Sequence, residues 1–213
     1  MSAFIERRNQ DIQKLFELCG QSDGRIEVAR VSGNPPNEVE VGIRLRTAPS
    51  NQYPISVQNL TKVLISLPSR YPFQEPTATI KTPIFHPNVY SSGKICFGTK
   101  WLPSQGLDLL VRRIVQIITF DPTILNGQSP ANGTALSWYR DAVRRHAGAF
   151  PTDTLTLSAS ATPKKMAWSD VRGESEERTT VQCPSCRGSL SLPKGKSGRV
   201  RCPKCSTAFE AET

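Results

Sequence analysis

The chain has 213 residues and a formal charge of +9 at pH 7, enough for one domain of about 150 residues and a small appendage. Hydrophobic residues make up 37% and no apolar run approaches about 18 residues, which argues against a membrane-spanning helix; the opening MSAFIERRNQ lacks the apolar core of a secretory leader. The positive charge fits a nucleic-acid partner and an acidic protein partner equally, so charge alone does not choose.

Residues 2–18 place Phe4, Ile5, Ile12, Leu15, Phe16 and Leu18 at helical spacing, and Gly20 is a stop signal. The pattern predicts an amphipathic helix with Arg7 and Arg8 on its wetter side and Cys19 as a structural residue. Segments 25–31, 39–46 and 60–67 alternate or run apolar between turn signals, as successive antiparallel strands do. Gly33-Asn34-Pro35-Pro36-Asn37 joins the first two. The polar stretch 48–59 reads as a connection, and a fourth short strand at about 77–81 follows. Residues 107–120 carry Leu109, Leu110, Ile114, Val115, Ile117 and Ile118, which predicts a buried helix with Arg112 and Arg113 at the surface. Asp121-Pro122 ends it. A loop then leads to a last helix through Leu136, Trp138 and Tyr139, ending near Gly148. One helix, four meandering strands and later helices make an α+β fold.

The chemistry concentrates in 71–103. Cys96 is flanked by Gly93-Lys94-Ile95 and Phe97-Gly98. A thiol becomes a nucleophile when its sulfur is reachable and can ionise near cations, and Lys94 and Lys100 supply local positive charge. The same thiol also reads as a small buried hydrophobe beside Ile95 and Phe97. Upstream, His86-Pro87-Asn88 makes a turn in which Pro87 fixes one dihedral. The Asn88 amide there can hold a neighbouring carbonyl or donate to an oxygen gaining charge. His86 reads more as a turn organiser than as a general base.

HPN, eight residues from Asn88 to Cys96 through a Ser-Gly-Lys-Ile-Cys ending, Trp101 and Pro103 downstream, and Tyr71-Pro72-Phe73 with Pro76 upstream together resemble the core of ubiquitin-conjugating E2 enzymes. The resemblance covers roughly residues 1–150 and implies the E2 (UBC-like) fold. It implies that Cys96 accepts ubiquitin or a ubiquitin-like protein from an E1-like activating enzyme as a thioester and passes it to an amine of a protein substrate, in practice a lysine. Asn88, and less directly His86, join Cys96 as the implied catalytic residues. Phe73 and the stretch Leu102-Pro103-Ser104 fall where E2s meet E3 ligases, and the first helix where they meet E1. Two departures stand out: only four residues separate Cys96 from Trp101, and Ser129 stands before Pro130 where many E2s carry an acid. Asp121 is the nearest acid in sequence.

Residues 151–180 are rich in Ser, Thr and charge and read as a flexible linker, with Met166 and Trp168 as apolar exceptions. The terminal stretch 181–213 holds Cys183-Pro-Ser-Cys186 and Cys202-Pro-Lys-Cys205. Two CxxC turns can close a tetrahedral site for one structural Zn2+ ion, so this part resembles a zinc ribbon; the spacing lacks the interleaved ligands of a RING-type module. Its Arg and Lys residues fit nucleic acid or a protein partner, nucleic acid being the lesser fit. The remaining cysteine usage needs no disulfides and fits a reducing cytoplasm. The fusion of such a ribbon to a divergent E2 core suggests a bacterial-type or otherwise non-eukaryotic conjugation pathway. Two other readings stand beside the carrier: a noncatalytic E2-like binding module, and a nucleic-acid adaptor driven by the ribbon.

Overall fold

A computed structural model describes residues 3–158, 178–195 and 197–212; Met166, Trp168 and Lys196 lie outside the described residues. The chain divides into two compact units, Met1–Ala159 and Ser160–Thr213.

In the first unit, α1 (Ala3–Gln21) precedes four strands, β1 (Ile26–Ser32), β2 (Glu38–Ile43), β3 (Thr61–Ser66) and β4 (Thr77–Ile80), and then α2 (Leu107–Ile118) and α3 (Gly133–Arg145). The strands pair antiparallel in the order β1-β2-β3-β4, as the α+β meander expected from the sequence requires. Val39, Val41 and Ile43 of β2 and Val63 and Ile65 of β3 turn one face inward, the period-2 burial of a sheet with one covered side. Leu15 and Leu18 of α1 and Leu107, Val111, Ile114 and Ile118 of α2 complete that core.

The basic pair of α1 is not on a wet face. Arg8 is only 4% exposed and donates to the backbone carbonyls of Pro36 and Pro68, fastening α1 to the β1–β2 turn and to the segment after β3. Arg7 pairs with Asp11 at 2.6 Å and donates to the Gln105 carbonyl just before α2. A guanidinium offers five fixed donors, and a helical pattern read by hydropathy alone does not register that carbonyls wait above it. Tyr71 donates its hydroxyl to the same Asp11 carboxylate, and burial raises its ionisation well above the ordinary phenol range.

Residues 151–158, expected as the start of a linker, are seated on the first unit. Thr152 is buried and its N–H donates to the Thr119 carbonyl at 2.9 Å; Asp153 accepts from the Arg46 N–H; Leu155 and Leu157 pack on the main core; and the Ser158 N–H donates to the Gln21 carbonyl at 2.8 Å. Two leucines among threonines look like linker composition, yet alternate positions of an extended strap suffice to anchor it. At the other end the boundary also moves, because β5 begins at Arg178.

In the second unit, β5 (Arg178–Gln182) pairs with β6 (Ser189–Pro193), and β7 (Ser197–Arg201) with β8 (Ala208–Glu212), as two antiparallel hairpins. Each carries one CxxC turn. Among the described residues its apolar core consists of Leu190, Leu192, Phe209 and the cysteines themselves.

A separate aromatic cluster closes the far end of α2. Phe120 is fully buried with φ of 60°, a left-handed conformation costly for a non-glycine residue. It holds that conformation because Tyr139, Phe150 and Trp138 surround its ring, with centroids 5.6, 5.2 and 6.1 Å away. His86 packs on the same ring at 4.3 Å. Its Nδ1 accepts the Asn88 N–H at 2.9 Å, and complete burial pushes its ionisation down to about 3. Two outcomes follow. Phe120→Ala is expected to cost about 3–5 kcal/mol, read by urea unfolding. For His86 the folded value lies below the unfolded value of about 6.5, so the unfolded chain binds the extra proton. Stability is therefore unaffected above pH 6.5 and falls as pH drops from there toward 3. Urea unfolding at pH 5 should show the wild type losing about 2 kcal/mol from this source, a loss that His86→Gln removes.

Candidate active site and metal centre

The segment after β4 returns on itself through short backbone links. Val89 N–H donates to His86 O at 3.1 Å, Tyr90 N–H to Lys94 O at 3.0 Å, and Gly93 N–H to Tyr90 O at 2.8 Å. Gly93 sits at φ +83°, and a Cβ there would lie 2.4 Å from the Ile80 carbonyl oxygen, so the loop lies on the end of β4 only because this residue has no side chain. Ile95 N–H then donates to Ala78 O at 2.9 Å. Ile95 and Phe97 are both buried while Cys96 between them is half-buried. Alternation places the thiol on the opposite side from its apolar neighbours, which sets aside the reading of Cys96 as a core residue.

Asn88 is the hub of this arrangement. It is 1% exposed, and its backbone carbonyl accepts the Cys96 N–H at 2.8 Å. Its side-chain amide donates to the carbonyls of Cys96 at 3.4 Å and Ile124 at 3.2 Å, and its Oδ1 accepts the Asn126 N–H at 3.2 Å. One side chain thus joins the cysteine loop to the loop between α2 and α3. The N-cap of α3 reinforces the junction: Asn132 caps Ala135 with its side chain, and its own N–H donates to the Pro87 carbonyl at 3.0 Å. Asn88, Cys96 and His86, the site residues expected from the sequence, all follow β4: Asn88 bonds the Cys96 backbone, and His86 lies beneath the HPN turn without access to solvent.

Hydropathy did not flag Arg113. It was expected at the surface, but its Nη2 donates to the Phe97 carbonyl at 3.3 Å, and its Nε is buried without a hydrogen-bond partner among the described residues. A signal was present in its position beside Ile114 and three residues after Leu110, at the margin of the apolar stripe of α2. On the other flank, Trp101 donates its indole N–H to the Pro72 carbonyl at 2.7 Å and packs on Tyr71. This fastens the loop after Cys96 to the Tyr71-Pro72-Phe73 platform. Phe73 and Leu102 are 68% and 52% exposed, and Phe73 meets Phe4 of α1 edge-on at 6.1 Å.

Cys96 lines an open cleft of about 400 Å³ with Glu75, Tyr90, Lys94 and Thr99. Asp121 does not reach that cleft. Its Oδ1 accepts from the Thr123 hydroxyl and N–H, and its Oδ2 from Gln116; the Thr123 bonds hold the carboxyl below its usual range. Ser129, in the position where the sequence lacks an acid, exchanges two backbone hydrogen bonds with the Asn126 side chain.

In the second unit the four cysteine sulfurs lie within 4.8 Å of one another. Cys183 and Cys205 are separated by 3.6 Å and Cys186 and Cys202 by 3.7 Å. A disulfide needs about 2.05 Å, whereas thiolates about 2.3 Å from a shared tetrahedral ion stand about 3.8 Å apart. The two turns are built alike. Cys183 N–H donates to Gly188 O and Arg187 N–H to Cys183 O; Cys202 N–H donates to Thr207 O and Ser206 N–H to Cys202 O. The Cys205 sulfur also lies 3.4 Å from the Thr207 hydroxyl. These four residues are positioned to hold a metal ion.

Residues 52–149 match the family model described as ubiquitin-conjugating enzyme. A ubiquitin-conjugating enzyme E2 of African swine fever virus (strain Badajoz 1971 Vero-adapted) is 29% identical over 125 residues, covering 54% of this chain and 55% of the relative. A probable ubiquitin-conjugating enzyme E2 of Encephalitozoon cuniculi is 35% identical over 99 residues, covering 38% and 44%. Human ubiquitin-conjugating enzyme E2 G1 aligns with a TM-score of 0.43 and 22% identity over 57% of this chain and 100% of that one. The chain spans about half the length of the curated relatives it matches. Among the described residues no helix is long and apolar enough to cross a membrane. Cys96 and the HPN turn both lie inside the segment of the first unit that is similar to ubiquitin-conjugating enzymes.

Proposed function

We propose that the protein carries ubiquitin or a ubiquitin-like protein as a thioester on Cys96 and hands it to an amine. The observation that carries the reading is the placement of a half-buried thiol at an open cleft, on a loop whose backbone is held on both sides by one buried asparagine. The Cys96 thiolate attacks the thioester carbon of the modifier on an E1-like enzyme; the new C–S bond forms as the E1 thiolate leaves. Activation by ATP belongs to E1, so this chain needs no nucleotide. A substrate lysine then displaces Cys96. The amide hydrogens of Asn88 are already given to Cys96 and Ile124, so Asn88 acts first as a positioning residue, fixing the loop on which the tetrahedral intermediate forms. His86 is a positioning residue one step further back, uncharged and buried. The exposed Phe73 and Leu102 offer apolar contact to an E3 or another adaptor.

The ion of the second unit is, in this reading, Zn2+, held by Cys183, Cys186, Cys202 and Cys205 in a closed, structural site. All four positions are thiolates, so no place is left for a reacting water. When bound, the ion supplies the cohesion that a core this small lacks.

Incubation with E1, ubiquitin and ATP, followed by a nonreducing gel, should yield a DTT-sensitive adduct on wild type, a more stable ester on Cys96→Ser and no adduct on Cys96→Ala. No adduct on wild type from an E1 that has charged itself with ubiquitin, repeated with ubiquitin-like modifiers, would favour a noncatalytic binding module. Metal analysis of the full chain should find one zinc per chain. Chelation at neutral pH should release it and abolish the protection of amides in 178–212 against hydrogen exchange, leaving those of β2 and β3 protected.

A further inference from the structure

We infer that Glu75 is the acid that receives the acceptor amine at Cys96, an assignment that rests on the thioester reading above. Among the described residues, Glu75 supplies the one carboxylate lining the Cys96 cleft. The two positions that the sequence would nominate for an acid are out of play. Asp121 is committed to Thr123 and Gln116 and lies outside the cleft, and the position before Pro130 is held by Ser129.

Glu75 is exposed, and no hydrogen bond or ion pair engages its carboxylate among the described residues. It also lines the larger groove along α2, of about 920 Å³, with Thr99, Trp101 and Arg112, so it stands where the two depressions meet. Its backbone is firmly set. Gln74 N–H donates to the Arg70 carbonyl at 3.1 Å, Pro76 behind it is buried, and Trp101 holds Pro72. The cleft is otherwise cationic, with Lys94 in its wall and Lys100 nearby in sequence. An approaching lysine ammonium is repelled by both, and Glu75 is the counter-charge that lets it dwell beside the thioester.

The step balances with groups already present. The ammonium held at Glu75 gives one proton to solvent. The neutral amine attacks the thioester carbon, the N–C bond forms as the C–S bond breaks, and the second proton leaves with the Cys96 sulfur as the thiol. Glu75 orients the amine and is not consumed.

The full chain is charged without E1, by exchange with a small-thiol thioester of ubiquitin, and its discharge is followed in single turnover with L-lysine and, separately, with hydroxylamine, a small nucleophile that is uncharged at neutral pH. Glu75→Gln should discharge to hydroxylamine within about twofold of wild type and to lysine about tenfold more slowly. The loss should appear mainly as a higher half-saturating lysine concentration, and Glu75→Asp should restore part of it. Lysine discharge unchanged in Glu75→Gln, or an equal loss toward both nucleophiles, overturns the assignment while leaving the thioester reading intact. A wild-type chain that takes no ubiquitin overturns the thioester reading, and the role of Glu75 with it.

Discussion

The buried amide of Asn88 is the constraint on which the placement of the Cys96 loop depends. Its side chain joins Cys96, Ile124 and Asn126, and its backbone carbonyl takes the Cys96 N–H. A buried amide left with an unmatched donor or acceptor costs about 1–3 kcal/mol, so the cysteine loop and the loop between α2 and α3 must be correctly placed together or not at all. The α3 N-cap, through Asn132 and the Pro87 carbonyl, ties a third element to the same turn. Packing at the far end of α2 then becomes relevant to the thiol, because Phe120 and His86 share a face and His86 orients the N–H of Asn88.

The two units solve cohesion differently. The first buries strands against two helices and uses buried polar links to lock the segments that hydrophobicity leaves loose: Arg8 beneath two loop carbonyls, Asp11 between Tyr71 and Arg7. The second has two short hairpins and few apolar side chains, and its matched turns converge on four sulfurs. Burial can hold the first together. In the second, the described apolar core is small and the four sulfurs are positioned to hold a metal ion.

Much of this was legible from residues alone because the signals were local. The alternation in β2 and β3, the apolar stripe of α2, the HPN-to-Cys96 spacing and the paired CxxC turns each encode geometry within a few positions. What escaped had partners far away in the chain. Arg8 looked solvated because its acceptors, Pro36 and Pro68, are backbone carbonyls brought near only by folding. Arg113 looked peripheral because Phe97 is sixteen residues away in sequence. Glu75 carried no signal, since lining a cleft is a property of two stretches of chain, 75–77 and 90–99, that meet only on folding. The strap 151–158 escaped for another reason: its composition is that of a linker, and two leucines with a few backbone bonds were enough to seat it.

That strap also governs how such a protein can be rearranged over evolution. The ion pairs of Asp153 with Arg25 and Arg46, the Thr152–Thr119 link and the Ser158–Gln21 link make the last eight residues of the described first unit a part of its own fold. A recombination event that joined a new module directly after α3 would strip a covering from the core and leave the ends of α1 and α2 without partners. One that joined it after Ser158 would leave the first unit's fold untouched. The seam at which the cysteine-rich module can be exchanged, lost or duplicated therefore lies on the far side of the strap.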